Sequence, residues 1–326
     1  MKAPFPYFGG KRRAAPLIWG MLGDPSGYVE PFAGSAAVLL ARPATQSRRV
    51  ETLNDADGWL VNAWRAIQLS PDRVAAHAYG PVTEIDYHAR KAWLKARNDE
   101  GLVDWLAGDP EHHDPKAAGW WLYVMACGIG NPFADGPWTQ VDGRLVKNAG
   151  RGVQRNIPHL GDAGRGVKRN IPALCPPMGV MAGRVDNLTD YMQALAQRLE
   201  RVRITCGDWQ RVVQPSVYRA GAGGDGGRAI FLDPPYTGGD QRVYESKGGD
   251  GAVSAEVREW CLTADPSLRI VVSGYEDEHD ELISHGWTVH QGLATTAGYS
   301  NLGAASGHRE RLWASPSCIH AQGVLL

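Results

Sequence analysis

The sequence predicts an α/β fold, in which a Rossmann-like, mostly parallel sheet carries helices on both faces and one largely helical and loop-rich region is inserted. Two observations support this interpretation. Short apolar runs of strand length alternate with stretches of helical periodicity near both ends of the chain. Between them, over residues 85–183, the sequence is first rich in tryptophan and then rich in glycine, proline and arginine. We therefore expect one domain built from residues 1–84 and 184–326, with residues 85–183 as the insertion.

The composition limits the class of protein. With 326 residues and 43% hydrophobic side chains, the chain can bury a sizeable core, and its net charge of −1 does not by itself indicate a nucleic-acid partner. The five cysteines are scattered and the ten histidines lack ligand spacing, which argues against a metal site or a disulfide framework. We expect a cytoplasmic protein of a bacterial or phage-infected cell, without membrane contact. It is expected to be a monomer or weak dimer with no obligatory protein partner.

The first candidate site is a glycine turn near the N-terminus. Gly9 and Gly10 permit positive φ and close approach of another backbone, and Lys11 follows at once, before a helix predicted over 14–22. With Tyr7 beside it, this turn suits an anionic or carboxylate-bearing ligand. It lacks the spacing of a nucleotide P-loop, and an ordinary N-terminal turn is an equally good interpretation.

The second candidate site follows a predicted strand over 28–30. The strand ends at Glu30 and continues into a Pro-Phe-Ala-Gly turn over 31–35 and a small-residue helix over 36–40. Strand, glycine-containing turn and helix are the architecture of a cofactor loop, although the Gly-x-Gly-x-x-Gly fingerprint is not met. An acid such as Glu30 would repel a pyrophosphate but could serve an amino or hydroxyl group.

An acid also ends the next predicted strand, over 50–53. This strand runs into Asn54 and Asp55, at the position where a carboxylate holds a pair of ribose hydroxyls in sheets of this kind. Asp55 could instead cap the helix predicted over 58–68. Both roles can hold in one molecule.

An Asp-Pro-Pro-Tyr turn follows the apolar strand predicted over 229–232. Pro234 and Pro235 lack backbone N–H groups and hold φ near −65°, so the turn is rigid and extended. The Asp233 carboxylate and the Pro234 carbonyl could accept hydrogen bonds from a planar amino group, and Tyr236 could stack on the attached ring. A plain proline-rich loop after a strand is the alternative.

The C-terminal half continues the alternation of helices and strands. A strand over 202–206 is followed by Asp208, which could cap the next turn or contact a ligand. The remaining elements are a helix over 186–200 before that strand, then a helix over 253–263, a strand over 268–273, a helix over 279–285 and strands over 287–291 and 309–314.

The insertion contains a basic repeat. Residues 151–158 recur as 165–172, and between Arg144 and Pro172 there are seven Lys or Arg and a single acid, Asp162. Cationic side chains neutralise phosphates, and Arg can also read base edges, so this segment predicts a DNA-binding surface. A solvated flexible loop is the alternative. The expected DNA-binding residues are Arg144, Lys147, Arg151, Arg155, Arg165, Lys168 and Arg169.

Taken in order, the glycine turn, the Pro-Phe-Ala-Gly turn, Asn54-Asp55 and the Asp-Pro-Pro-Tyr turn resemble the Dam-like N6-adenine DNA methyltransferases. The resemblance covers the two ends of the chain, about half of it. One departure is visible, because Ala36 stands where the family's loop has its second glycine. The resemblance implies S-adenosyl-L-methionine as cofactor, and the residues implied to bind it are Tyr7, Gly9, Gly10, Lys11, Glu30, Phe32, Ala33, Gly34, Ser35, Asp55, Asp208 and Asp233.

The resemblance also implies a reaction. The N6 amine of an adenine flipped out of DNA would be methylated, with Asp233 and Pro234 accepting from the amine, Pro235 stiffening the turn and Tyr236 stacking on the base. Methylation of cytosine N4 or of an amide uses the same type of turn. A DNA-binding module that has lost catalysis is a further alternative, for which Ala36 is the only hint.

Overall fold

The architecture is given by a computed structural model. It describes residues 1–7, 9–43, 49–99, 101, 104–105, 108–109, 111–128, 133, 138–141, 144–147, 182–218, 227–235, 252–291 and 310–319.

A seven-stranded sheet forms the centre of the described molecule. Its strands are β1 (Gly27–Glu30), β2 (Val50–Asp55), β5 (Val202–Cys206), β6 (Arg228–Leu232), β7 (Arg269–Tyr275), β8 (Thr288–Gln291) and β9 (Glu310–Ala314). A separate antiparallel pair is formed by β3 (Trp138–Val141) and β4 (Arg144–Lys147). The helices are α1 (Ala15–Leu22), α2 (Ala37–Leu40), α3 (Gly58–Leu69), α4 (Pro71–Ala78), α5 (Glu84–Asp99), α6 (Pro115–Cys127), α7 (Ala182–Leu199), α8 (Pro215–Tyr218) and α9 (Ala252–Thr263), with 3₁₀ helices at Trp209–Arg211 and Asp280–His285.

The strand order places a topological switch point between β1 and β6. The order is β5-β2-β1-β6-β7-β9-β8, in which the first five strands are mutually parallel and β9 is antiparallel to both β7 and β8. Val29 in β1 pairs with Thr52 on one side and with Ile230 on the other. The turns that follow β1 and β6 therefore leave neighbouring strands at the same edge, where open α/β sheets bind ligands. The predicted α/β class with a mostly parallel sheet is confirmed.

Helices cover both faces of the sheet, and β6 shows why. Ala229 and Phe231 pack into one buried cluster with α1, α3, α6 and α7, whereas Ile230 and Leu232 pack into a second cluster on the opposite face with α9. Successive side chains of a strand point to opposite faces, so a strand covered on both sides must be apolar throughout. This requirement explains the uninterrupted apolar run of residues from which β6 was predicted.

Two aspartates cap the N-termini of α3 and α6. Asp57 accepts hydrogen bonds from the backbone N–H groups of Trp59 and Leu60 at the start of α3, and Asp114 accepts from Ala117 N–H at the start of α6. Asn62 in α3 donates to the Asp114 carbonyl at 3.0 Å and accepts from the Asp114 N–H at 2.8 Å. These bonds fix α6 against α3.

Helices α5 and α6 fall in the predicted insertion, apart from the first residue of α5, and they share the core of the sheet domain. Leu94 of α5 and Trp121 and Leu122 of α6 are buried in the same cluster as the α3 residues. The division into 1–84, 85–183 and 184–326 stays a prediction. Among the described helices, none is both long and apolar enough to cross a membrane.

Candidate active site

Asn54 joins two turns at the carboxyl edge of the sheet. Its side-chain amide donates to the Pro31 carbonyl at 3.0 Å and to the Gly207 carbonyl at 2.9 Å, while its Oδ1 accepts from the Thr205 hydroxyl at 2.9 Å. Its own carbonyl accepts from Ala33 N–H at 2.8 Å. The turns after β1 and β5 are therefore both bonded to the end of β2 through a single buried side chain.

Asp55 shapes the Pro-Phe-Ala-Gly turn. Its Oδ2 accepts from Gly34 N–H at 3.0 Å and its Oδ1 accepts from Asp57 N–H at 2.9 Å, and the residue is buried. The side chain that caps α3 is that of Asp57 and not that of Asp55. The capping alternative for Asp55 is therefore not observed. The ribose-binding role predicted for Asp55 stays a prediction.

The two N-terminal turns pack directly on each other. Gly34 has φ +46°, and a Cβ atom there would lie 2.8 Å from the half-buried ring of Tyr7. Trp64 of α3 donates its indole N–H to the Gly34 carbonyl at 3.1 Å. Glycine is required at position 34 both by its backbone conformation and by this close approach. Beside it, a Cβ at Gly10 would lie 3.3 Å from the Ser35 hydroxyl oxygen.

Lys11 connects the glycine turn to the Asp-Pro-Pro-Tyr turn. Its buried ammonium group donates to the Gly9 carbonyl at 2.7 Å and lies 2.9 Å from Asp233 Oδ2 and 2.9 Å from Glu310 Oε1. We call Lys11, Asp233 and Glu310 the charge cluster. Burial alone would lower the pKa of Lys11, but the two carboxylates outweigh burial and raise that pKa above its usual value.

Within the Asp-Pro-Pro-Tyr turn, Asp233 keeps a partly exposed side chain, Pro234 is buried and Pro235 is half-buried. Tyr236 lies outside the described residues. The structure thus brings together Lys11 and Asp233, two residues from opposite halves of the chain that the sequence analysis predicted as site residues. It adds Glu310, the first residue of β9, which sequence reasoning missed because an acid at a strand start gives no signal of its partner.

Glu30 faces inward at the end of β1. Its Oε1 accepts from the Tyr28 hydroxyl at 2.5 Å and from Leu39 N–H at 2.8 Å, and the residue is buried. Burial raises the pKa of Glu30 to about 8, although the hydrogen bonds from Tyr28 and Leu39 act in the opposite direction. Glu30 therefore fixes α2 to the end of β1, and its predicted place in the cofactor lining stays a prediction.

Ala36 adopts the left-handed conformation that glycine adopts without strain. It has φ +50° and ψ +30° and is fully buried, between Ser35 and the start of α2. Ala36, which stands where the resembled loop has its second glycine, thus occupies a position whose backbone conformation favours glycine.

An aromatic pair borders the turn after β5. The half-buried ring of Phe32 lies 5.8 Å, centroid to centroid, from the ring of Trp209, which sequence reasoning also missed. Asp208 is exposed and accepts from Gln210 N–H at 2.7 Å, which caps the 3₁₀ helix. The capping alternative for Asp208 is therefore observed, and ligand contact by its carboxylate stays a prediction.

The predicted DNA-binding residues lie almost wholly beyond the described part of the chain. Arg144 and Lys147 begin and end β4, of which the backbone alone is described. The residues outside the described ranges are Arg151, Arg155, Arg165, Lys168 and Arg169.

Comparison with known protein families gives a match to the N-terminal part of the chain. Residues 7–101 match the family model described as D12 class N6 adenine-specific DNA methyltransferase. This segment contains the glycine turn, the Pro-Phe-Ala-Gly turn and Asp55, and it ends before the Asp-Pro-Pro-Tyr turn. No curated protein gives a significant match to the chain. This match over the N-terminal segment bears out the resemblance to the Dam-like enzymes, and the chain is similar there to a family of N6 adenine-specific DNA methyltransferases.

Proposed function

We propose that this protein transfers a methyl group from S-adenosyl-L-methionine to the N6 amine of an adenine that has been flipped out of DNA. One observation carries the proposal: Lys11 lies 2.9 Å from Asp233 Oδ2, so the glycine turn and the Asp-Pro-Pro-Tyr turn meet at the switch point of the sheet. A methyl donor and an amine acceptor must be held side by side, and these two turns supply one wall each.

The residues at this edge fit S-adenosylmethionine in their chemistry. Asp55 stands at the end of β2, where an acid can hold a ribose, and the Phe32–Trp209 pair offers an apolar border for a purine ring. The charge cluster carries two carboxylates and one ammonium group, which favours a positively charged ligand centre beside it. Lys11 and Tyr7 would lie toward the methionine end.

When bound, S-adenosylmethionine supplies a methyl group to the N6 lone pair and keeps the electron pair of the broken carbon–sulfur bond. The Asp233 carboxylate and the Pro234 carbonyl would accept hydrogen bonds from the two N–H groups of the amine. This arrangement would turn the nitrogen lone pair out of conjugation with the ring and toward the methyl carbon. After transfer, N6 gives up one proton to water. This is catalysis by position and electrostatics, because the two acceptors orient the amine and do not remove its proton.

Base flipping follows from where the amine lies in DNA. In a duplex the N6 amine is engaged in base pairing and cannot reach a turn at a sheet edge, so the nucleotide must leave the stack. The basic repeat over 151–172 would hold the phosphates during this step.

The first test is Asp233→Ala. We expect methyl transfer to fall by about 100- to 1000-fold or more, since a preorganised acceptor of the reacting amine is removed. Binding of S-adenosylhomocysteine should be largely kept, because Glu310 remains to pair with Lys11. Incorporation of labelled methyl into DNA measures the first quantity, and titration calorimetry measures the second.

Asp72→Ala, on the exposed surface of α4, is the matched control and should leave both quantities unchanged. Near-normal turnover by Asp233→Ala would refute the mechanism. Mass spectrometry of nucleosides from the wild-type reaction identifies the acceptor, and methyl groups on cytosine rather than on adenine N6 would refute the proposed substrate.

A further inference from the structure

We infer that the face shared by α5 and α6 is a second DNA-contacting surface, at which Lys116 and Arg90 neutralise phosphates of the backbone. The inference rests on the proposed function and adds to it a place where the substrate docks. It concerns described residues of the predicted insertion, and it is independent of the basic repeat over 151–172.

Two tryptophans meet where these helices pack. Trp93 stands three residues after Arg90 in α5, so the two side chains lie on one face of that helix. Trp120 stands four residues after Lys116 in α6 and shares a face with it in the same way. The rings of Trp93 and Trp120 are half-buried and meet edge to face, with centroids 4.9 Å apart. The two helices therefore present one partly exposed aromatic face.

Cations are held on this face by rings rather than by acids. The Lys116 ammonium nitrogen lies 4.5 Å from the ring centroid of Trp120 and 4.7 Å from that of Trp93. The Arg90 guanidinium carbon lies 3.8 Å from the ring centroid of Tyr123, and its Nη1 atom has no hydrogen-bond partner. Among the described residues, neither Lys116 nor Arg90 forms an ion pair. A ring fixes a cation through its quadrupole and leaves the whole positive charge in place, whereas a carboxylate would cancel it.

The acids next to this face are engaged with other groups. Asp114 caps the start of α6, and its Oδ2 lies 3.9 Å from Arg97. Asp86, one turn before Arg90, accepts from the Thr83 hydroxyl at 2.6 Å. Lys116 and Arg90 are therefore available to an anion from outside the chain.

The positive charge of this face extends to α4. Burial lowers the pKa of the half-buried His77, and neighbouring cations lower it further, of which Lys116 has the largest effect and Arg90 a smaller one. Asp114 acts in the opposite direction without reversing the shift. The field at the surface of these helices is thus positive, as a phosphate-binding surface requires.

The contacts favour phosphates over base edges. A lysine ammonium group is a compact charge without an acceptor, and contacts of this kind position DNA without reading its sequence. Trp93 and Trp120 already carry Lys116 over their rings, so they serve to hold the cation rather than to stack on a base. We therefore expect the contribution of this face to be the same for duplexes of different sequence.

The face lies close to the edge of the sheet that carries the candidate site. Asp114, two residues before Lys116, is bonded through its backbone to Asn62 of α3. Asn62 stands four residues after Gly58, the start of α3, which is about 6 Å along the helix axis. A duplex carries one phosphate charge for about every 1.7 Å of its axis. DNA bound at the sheet edge can therefore place its backbone beside the start of α6.

The experiment titrates labelled duplex with the wild-type protein and with the double variant Lys116→Gln/Arg90→Gln, at several salt concentrations, by fluorescence anisotropy. We expect the slope of log affinity against log salt to become shallower by about 1.8, since about 0.9 is lost for each phosphate no longer neutralised. The affinity at low salt should fall by about tenfold, to the same extent for duplexes of different sequence. Binding of S-adenosylhomocysteine should be unchanged.

Three comparisons separate this role from a structural one. Lys95→Gln/Arg201→Gln removes two exposed cations elsewhere and should keep the wild-type slope. Lys116→Arg keeps the charge and should also keep it. Because Arg90 packs on Tyr123, thermal melting checks the double variant for folding, and Lys116→Gln alone provides the test with an expected change in slope of about 0.9.

Each outcome decides something. If the wild-type protein binds DNA but transfers no methyl group, the proposed function fails, while the slopes still test the surface. If Lys116→Gln keeps the wild-type slope, Lys116 only packs α5 on α6 and the inference is overturned. A loss confined to one DNA sequence would also contradict it. A uniform loss with a shallower slope, absent from the Lys95→Gln/Arg201→Gln control, supports it.

Discussion

Single residues decide the local geometry of this site, and Ala36 is the clearest case. A non-glycine residue in the left-handed region is strained by roughly 1–2 kcal/mol, and Ala36 is held there between the Pro-Phe-Ala-Gly turn and α2. We expect Ala36→Gly to raise the free energy of unfolding by about 1 kcal/mol, after allowance for the greater freedom of glycine in the unfolded chain. Urea denaturation measures this change.

Ala37→Gly, one position further on, is the control for that experiment. Ala37 is the first residue of α2, so glycine there should lower the free energy of unfolding by about 0.5–1 kcal/mol. Equal losses in the two variants would contradict the strain assigned to Ala36.

The residue scale also shows where sequence reasoning reaches its limit. Lys11, Asp55 and Asp233 could be selected from local motifs, because each follows a glycine turn or ends a strand. Glu310 could not, since its significance lies in a contact with a lysine at the other end of the chain. The helix cap also fell to Asp57 rather than to Asp55, and two acids this close in sequence offer no local signal to separate them.

At the scale of elements, apolar runs predicted most strands of the sheet, and β6 did so because both of its faces are buried. The direction of β8 and β9 could not be predicted in the same way. Periodicity records which face of a strand is buried and not which way the strand runs, so the antiparallel end of the sheet emerges only from the pairing with β7. Helix α4 was not predicted from the sequence.

The basic repeat is an element whose role can be tested as a unit. Replacing four of its arginines with glutamine should weaken DNA binding and reduce the salt dependence of the affinity, by a slope of about 0.9 for each phosphate that is no longer neutralised. Fluorescence anisotropy with labelled duplex over a range of salt concentrations measures both effects. The arginines are Arg151, Arg155, Arg165 and Arg169.

A matched set of four neutralisations at exposed positions outside the repeat changes the net charge equally and should leave the slope near that of the wild-type protein. Those positions are Lys2, Arg73, Lys95 and Arg201. An unchanged affinity in the repeat variant would make the repeat a linker rather than a DNA-binding surface.

At the scale of the whole molecule, His279 couples folding to pH. It is fully buried, lies 5.1 Å from the Trp313 ring by centroids, and burial lowers its pKa to about 4 from 6.5. Above pH 6.5 neither folded nor unfolded chains protonate it. As the pH falls from 6.5 to 4, His279 becomes protonated in the unfolded chain but stays neutral in the folded one. We therefore expect this residue to lower the free energy of unfolding by about 3 kcal/mol over that range.

The measurement is the free energy of unfolding at several pH values for the wild-type protein and for His279→Gln. The loss between pH 6.5 and 4 should be smaller in the variant, since the titrating group is gone. His285→Gln, at an exposed position in the neighbouring 3₁₀ helix, should follow the wild-type curve. Parallel curves for the wild-type protein and His279→Gln would contradict the assignment.

The charge cluster joins the glycine turn to β9, and this has a consequence for folding. Lys11 and Glu310 lie far apart in the sequence, so their contact closes a very long loop of chain. A contact of such sequence separation stabilises the chain only after the intervening elements have been ordered, so β9 is expected to dock beside the glycine turn late in folding.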